Sequence, residues 1–266
     1  MKMNLIGIIP ARYGSTRFPG KVICDIEGYP MIWWTYQSVI KWDKWKDVYL
    51  AIDDERIAEV CDQYQLPYIM TSTKHQDCLD RASEAAMILK KRDKIVAERY
   101  VIIQGDEPLF NPDTLNVDLS PSIVNFYTHI QDKADMNSTD APKVVVSKNQ
   151  RALYFSRYRI PYDSKRTRRS DMKLNVFKQI GVYSFSLESL NMYTNLDSSY
   201  LENTEGIGLN RLLENDINIY MRYTPYDSIS VDTPKDRDRI SILIRNKNII
   251  EKKDIMSNLK QDCEDG

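Results

Sequence analysis

Histidine is almost missing from this chain. Its 266 residues hold two, His75 and His129, which excludes a metal centre built on several imidazoles. Cysteine is sparse too. Cys24, Cys61, Cys78 and Cys263 are scattered, with neither the paired spacing of a zinc site nor a disulfide framework, a usage that suits a reducing cytoplasmic compartment. No apolar run approaches the ~20 residues that a membrane-spanning helix needs. A secretory leader is not expected either: Met1 to Leu5 is too short an apolar stretch, and Pro10 and Arg12 interrupt its continuation. Neither sign of charge dominates, with 37 Lys+Arg against 38 Asp+Glu. Nothing therefore points to a nucleic-acid or membrane surface. Internal repeats and low-complexity segments are absent.

What is present is enough chain for one large domain, or a domain with a subdomain. The first hundred residues alternate short apolar runs with amphipathic stretches. The pattern predicts strands over 5–9, 47–52, 68–70 and 100–103, and helices over 31–40, 53–65 and 77–91. Such a βαβαβαβ order argues for an α/β fold with a Rossmann-like, mainly parallel sheet and helices on both faces. Beyond it the reading is a helix over 121–131, strands at 143–147 and 177–185, a strand and loop over 152–162, and a helix over 202–215 weakened by Gly206 and Gly208. Strands at 219–223 and 228–231 come next, then a final helix from Pro234 to about Arg245. The stretch 165–169 reads as basic and flexible. A single domain over 1–245 is expected, with a subdomain near 150–200 and a charged tail over 246–266.

The segment Ile9 to Lys21, Ile-Pro-Ala-Arg-Tyr-Gly-Ser-Thr-Arg-Phe-Pro-Gly-Lys, organises the chain. A buried strand opens into a loop with three cations, Arg12, Arg17 and Lys21. Gly14, Ser15 and Gly20 are small enough to let backbone approach a ligand. This is a suitable cradle for an anion, or else a surface turn with solvated charges. It is not a Walker loop, because Val22 follows Lys21, and it is not the dinucleotide fingerprint. Two isolated aspartates, Asp106 and Asp232, each follow a predicted strand. Read alone, each fits a metal carboxylate or a turn or cap residue.

These residues resemble the sugar-acid cytidylyltransferases, and within them the CMP-Kdo synthetase (3-deoxy-manno-octulosonate cytidylyltransferase) family. The resemblance rests on the opening segment, Gln104-Gly105-Asp106-Glu107-Pro108, Ala152 to Arg157 with Ile160-Pro161, Gly181-Val182-Tyr183, and Val231-Asp232-Thr233-Pro234. It implies the nucleotide-diphospho-sugar transferase type of sheet, with a smaller dimerisation and acceptor subdomain. The implied activity is transfer of CMP from CTP to an acidic acceptor, Kdo or a related 2-keto sugar acid, with release of pyrophosphate. The implied cofactor is Mg²⁺, held by Asp106 and Asp232. Pro10, Ala11, Arg12, Gly14, Ser15, Lys21, Arg81, Gln104 and Asp106 would bind the nucleotide, with Arg12, Lys21, Asp106 and Asp232 in the catalytic role. Arg17, Arg157, Arg159, Gln179, Glu202 and Glu205 would face the acceptor. A homodimer is implied, with the segment around 152–183 supplying the contact. No covalent intermediate is expected, since the acceptor hydroxyl can attack directly.

Three departures fall in acceptor-facing motifs. Asp77-Cys78-Leu79 stands where the family has Ser-Gly-Thr, Gln179 where it has histidine, and Gly208-Leu209 where it has Glu-Gln. They raise the expectation that the acceptor differs from Kdo, for example a phosphonate or another small acid less hydroxylated at that place. A non-catalytic nucleotide-binding protein is a further alternative. A GTP- or UTP-using enzyme is disfavoured, because those open with Leu-Ala-Gly-Gly rather than Ile9-Pro10-Ala11-Arg12.

Overall fold

The structure, a computed structural model, describes residues 3–75, 77–130, 132–163 and 175–246. Gln76, the basic stretch 165–169 and the tail from 247 onward lie outside the described residues. The strands in chain order are β1 (Leu5–Ala11), β2 (Asp25–Ile26), β3 (Tyr29–Pro30), β4 (Asp47–Ile52), β5 (Tyr68–Met70) and β6 (Arg99–Ile103). They continue with β7 (Ile123–His129), β8 (Lys143–Val146), β9 (Ala152–Ser156), β10 (Phe177–Phe185) and β11 (Tyr220–Tyr223). The helices are α1 (Met31–Ile40), α2 (Glu55–Gln63), α3 (Cys78–Arg92), α4 (Lys133–Asn137), α5 (Leu187–Asn195), α6 (Tyr200–Glu205) and α7 (Leu209–Glu214). Residues 234–246 are also helical.

One sheet runs β11-β7-β10-β6-β1-β4-β5, with β8 paired to β10 and β9 to β8. Strand β1 lies between β6 and β4 and is parallel to both. The crossovers from β1 to β4 and β5 go one way, and β6 returns on the other side. The carboxyl end of β1 is thus a switch point, where such sheets open a crevice for ligands. Strand β10 runs antiparallel between β6 and β7.

Every residue of β1 is buried, and its side chains alternate between two cores. Leu5 and Ile9 join Met31, Ile32 and Ile57 on the face covered by α1 and α2. Ile6 and Ile8 join Leu79, Ala82, Leu190 and Leu212 on the face covered by α3, α5 and α7. The period of two on the strand and of three to four on the helices is what sends these side chains to opposite cores.

Three readings change. Residues 121–131 are no helix: β7 occupies Ile123–His129, buried at all but its last residue, because this β-branched and aromatic run has β10 and β11 to pair with. The single helix predicted over 202–215 is two, α6 and α7, broken at Gly206 with φ 61°. The strand predicted at 228–231 is an extended loop, tied to the site by Val231 N donating to Asp106 O at 2.9 Å. The strand and loop read over 152–162 are β9, ending at Ser156, and the loop after it.

Candidate active site

The carboxyl ends of β1 and β6 meet at one point. Gly105 N donates to Pro10 O at 3.2 Å. A Cβ at 105 would lie 2.7 Å from that same oxygen, so only glycine lets the two strand ends close up. Around them opens a cleft of about 460 Å³, lined by Pro10, Ala11, Arg12, Ser15, Arg17 and Lys21 of the opening loop, by Gln104 to Glu107, and by Asp232.

Lys21 is the centre of this cleft. Its Nζ donates to Asp106 Oδ2 at 2.6 Å, Asp232 Oδ1 at 2.9 Å and Val231 O at 3.0 Å. Burial alone would lower its pKa; the carboxylates of Asp106 and Asp232 outweigh that and hold it above the ordinary lysine value. Burial would likewise raise Asp232, but Lys21 and Arg17 pull it below the usual carboxylate range. Arg17 reaches Asp232 at 3.0 Å and Asp140 at 2.9 Å. Asp106 Oδ1 is buried without a protein partner. Two carboxylates from distant parts of the chain therefore converge on the Lys21 ammonium, and Asp106 keeps a spare oxygen. That donor set fits a hard divalent ion completed by phosphate oxygens and water.

Arg81 lines the cleft, yet its guanidinium serves the protein. It donates to Asp53 Oδ2 at 2.9 Å, Thr71 Oγ1 at 2.8 Å and Ser72 O at 3.3 Å. Asp53 Oδ1 in turn accepts from Tyr13 N at 3.0 Å. Arg81 and Asp53 thus brace the opening loop from behind. The sequence reading placed Asp53 at the start of the helix over 53–65 and missed this role; the helix begins at Glu55, and its cap is Asp54, which accepts from Arg56 N.

Gln104 Nε2 donates to Tyr183 Oη at 3.2 Å. Below it Glu107 is buried, and burial pushes its carboxyl up to about 8. A Cβ at Gly181 would fall 2.5 Å from Glu107 Oε1, so the small residue of the Gly-Val-Tyr run makes room for this acid. Sequence reading treated Glu107 only as part of a motif.

On the far wall the structure separates the remaining candidates. Gln179 and Arg157 line the cleft, although the side-chain donors of Arg157 are engaged with the carbonyls of Thr139, Glu205 and Gly206. Four candidates are not on the lining. Gly14 is exposed, with open space where a Cβ would be. Arg159 is exposed in the loop after β9. Glu202 pairs with Arg211 at 2.5 Å and closes the capping box of α6 on Ser199. Glu205 accepts from Tyr154, Ser156 and Arg157 N, at 2.8 to 2.9 Å. Both acids are used to hold α6 in place. In their stead Asp77, Cys78, Gly208 and Leu209 form the wall, residues that the sequence marked only as departures.

A family model described as cytidylyltransferase matches residues 6–219. The chain is 40% identical over 245 residues to the 3-deoxy-manno-octulosonate cytidylyltransferase of Lawsonia intracellularis (strain PHE/MN1-00), covering 90% of this chain and 93% of that one. This chain belongs to the 3-deoxy-manno-octulosonate cytidylyltransferase family. A second such cytidylyltransferase, from Trichlorobacter lovleyi (strain ATCC BAA-1151 / DSM 17278 / SZ), is 36% identical over 250 residues, covering 89% and 97% of the two chains. Among solved structures, CMP:2-keto-3-deoxy-manno-octonic acid synthetase complexed with CTP superposes with a TM-score of 0.79 at 30% identity, covering 92% of this chain and 99% of that one. The inositol-1-phosphate CTP transferase from T. maritima, at 16% identity and a TM-score of 0.59, shares the fold. This cytidylyltransferase is thus an α/β nucleotidyltransferase, with its cleft at the sheet's switch point.

Proposed function

We propose that this enzyme transfers CMP from CTP to the hydroxyl of Kdo. The acceptor oxygen forms a bond to the α-phosphorus, the bond to the β-phosphate breaks, pyrophosphate leaves, and the hydroxyl proton passes to solvent. The observation that carries the reading is the convergence of Asp106, Asp232 and Lys21 in the cleft beside the cationic opening loop. Arg12, Ser15 and Lys21 would bind the phosphates; Pro10, Ala11 and Gln104 would line the nucleotide's seat. Asp106 and Asp232 would hold Mg²⁺, which when bound neutralises phosphate charge. The chain's own contribution is mostly positioning, as befits phosphoryl chemistry with a diffuse charge. Lys21 supplies a fixed positive charge, and Arg81 with Asp53 keeps the loop in shape.

Kdo as the acceptor is supported by relatives at 36–40% identity over nearly the whole chain, all named for it. Against the departures at 77–79, Gln179 and 208–209 stands this agreement over nearly the whole chain, which does not favour a different acceptor. A cytoplasmic enzyme is the consistent setting, where CTP is available and Cys24, Cys61 and Cys78 remain free. A homodimer formed through the subdomain near 150–200 is supported by Leu153, Tyr158 and Tyr162, which are 60%, 77% and 88% exposed.

The test is pyrophosphate release with CTP, Mg²⁺ and Kdo. Asp106→Ala is expected to lower kcat by about two to three orders of magnitude. A wild-type enzyme that binds CTP yet releases no pyrophosphate with Kdo would reject the reading.

A further inference from the structure

Asp232 is carried by a stretch that no sheet holds. Strand β11 ends at Tyr223 and the last helix starts at 234, so residues 224–233 are neither strand nor helix. Thr224 N donates to Tyr127 O at 2.9 Å, and Val231 N to Asp106 O at 2.9 Å. Between these two ties, no backbone-to-backbone hydrogen bond holds 225–230 among the described residues. An unpaired stretch of this kind can follow many paths, and each would set the Asp232 carboxylate differently.

A side chain from the sheet closes that gap. Lys178 Nζ donates to Ser228 O at 2.7 Å and to Asp227 Oδ1 at 2.8 Å. Asp227 Oδ1 also accepts from Ser228 N at 2.9 Å. The ammonium thus holds the Ser228 carbonyl directly and its amide through Asp227. Hydrogen bonds from a charged donor are roughly twice as strong as neutral ones. Lys178 itself stands on firm backbone: in β10 it lies opposite Thr128 of β7 on one side and Lys143 of β8 on the other. Its side chain is 18% exposed. On the far side of Asp232, the Asp236 carboxylate accepts from Asp232 N at 3.2 Å and from Thr233 N at 2.8 Å. Asp232 is therefore bracketed, with Lys178 securing the approach and Asp236 the exit.

We propose that Lys178 is a positioning residue for Asp232: it pins the loop at Asp227 and Ser228, so that the carboxylate stays where it meets Lys21 and Asp106. The inference rests on the transferase reading above, in which Asp232 holds Mg²⁺, and adds the residue that keeps this carboxylate in place. Lys178 also lines the cleft, so direct contact with a ligand is the competing role. Asp227 separates the two. It is half exposed and does not line the cleft, so it serves Lys178 and the loop without facing a ligand there.

Two measurements on the whole chain test this. One is Mn²⁺ binding with CTP present, followed by the EPR signal of the free ion. The other is amide hydrogen exchange over 227–233 in metal-free protein. Lys178→Met and Asp227→Ala should each weaken Mn²⁺ binding by about tenfold, as loss of a group that orients a metal ligand does. Exchange at Val231 should quicken in both. Lys178→Arg, which keeps a cation on the loop, should restore most of each loss. Steady-state kinetics should show the kcat of Lys178→Met recovering as Mg²⁺ is raised, with the KM for Kdo within about twofold of wild type. Asp227→Ala, at an exposed position, keeps the test open if Lys178→Met does not fold. Unchanged Mn²⁺ affinity and unchanged Val231 exchange in the variants overturn the proposal. A KM for Kdo raised about tenfold in Lys178→Met, with Mn²⁺ affinity unchanged, also overturns it, because Lys178 would then be a ligand contact. Both of those results leave the transferase reading intact. Wild-type protein that binds CTP but no Mn²⁺ would overturn the metal role of Asp232, and the proposal with it.

Discussion

Lys21 shows how much one side chain can organise. It neutralises two carboxylates drawn from distant parts of the chain, in a site where all three groups are largely buried. Replacing it by methionine leaves Asp106 without its cation and Asp232 with Arg17 alone. Breaking such a buried pair costs about 3 kcal/mol, so Lys21→Met should unfold at correspondingly lower urea in metal-free buffer and should be nearly inactive. Gly105 is a second sensitive position. Gly105→Ala forces a methyl against Pro10 O, an overpacking worth about 1–3 kcal/mol; a lowered melting temperature with reduced kcat is the expected result. The two aspartates were picked out through the family motifs that hold them; read alone, each fitted a turn or cap as well, and Asp232 follows an extended loop rather than a strand. The duties of Glu202 and Glu205 were not, since a carboxylate bound to its own fold and one facing a ligand look the same in a string of letters. Asp53 was hidden for the same reason, inside a run of acids that also caps a helix.

Helices α6 and α7 act as one locked element. They are joined by the left-handed Gly206 and locked by Glu202 to Arg211, with Asp80 of α3 at 3.6 Å from the same arginine. Burial alone would raise the Glu202 carboxyl, but hydrogen bonds from Arg211 and Ser199 hold it below the ordinary value of 4.5. A carboxyl with a lowered folded pKa adds stability above its unfolded pKa and loses it as pH falls through the folded value. Glu202→Gln should therefore cost about 3 kcal/mol near pH 7. The gap to wild type should shrink below about pH 4.5, as followed by denaturation at a series of pH values. At this scale the strong periodicities of β1, α2 and α3 were readable directly. Strand β7 was not: its run of Ile, Val, Phe and Tyr is stable as a strand only because β10 and β11 lie on either side. The segment 228–231 has strand-like residues and no such pair of neighbours, so it stays a loop that delivers Asp232.

The whole molecule adds two expectations. CTP with Mg²⁺ should raise the melting temperature more than UTP, GTP or ATP does, by linkage to the folded state; equal shifts from all four would contradict a cytidine-selective cleft. Light scattering should give twice the 31.1 kDa chain mass, and Tyr158→Ser combined with Leu153→Ser should move it toward the monomer. Across the molecule the division of labour is physical. The sequence by itself determined the βα alternation of the first hundred residues, the buried run of β1 and the cationic loop after it, because these come from local periodicity and residue chemistry. Only the tertiary structure decided that Lys21 sits between Asp106 and Asp232, residues 85 and 211 positions away. It likewise decided that Arg81 braces the loop and that Lys178 reaches Asp227 and Ser228. Those are distances between remote segments, set by how the sheet is ordered and how helices pack on it, and no local pattern encodes them.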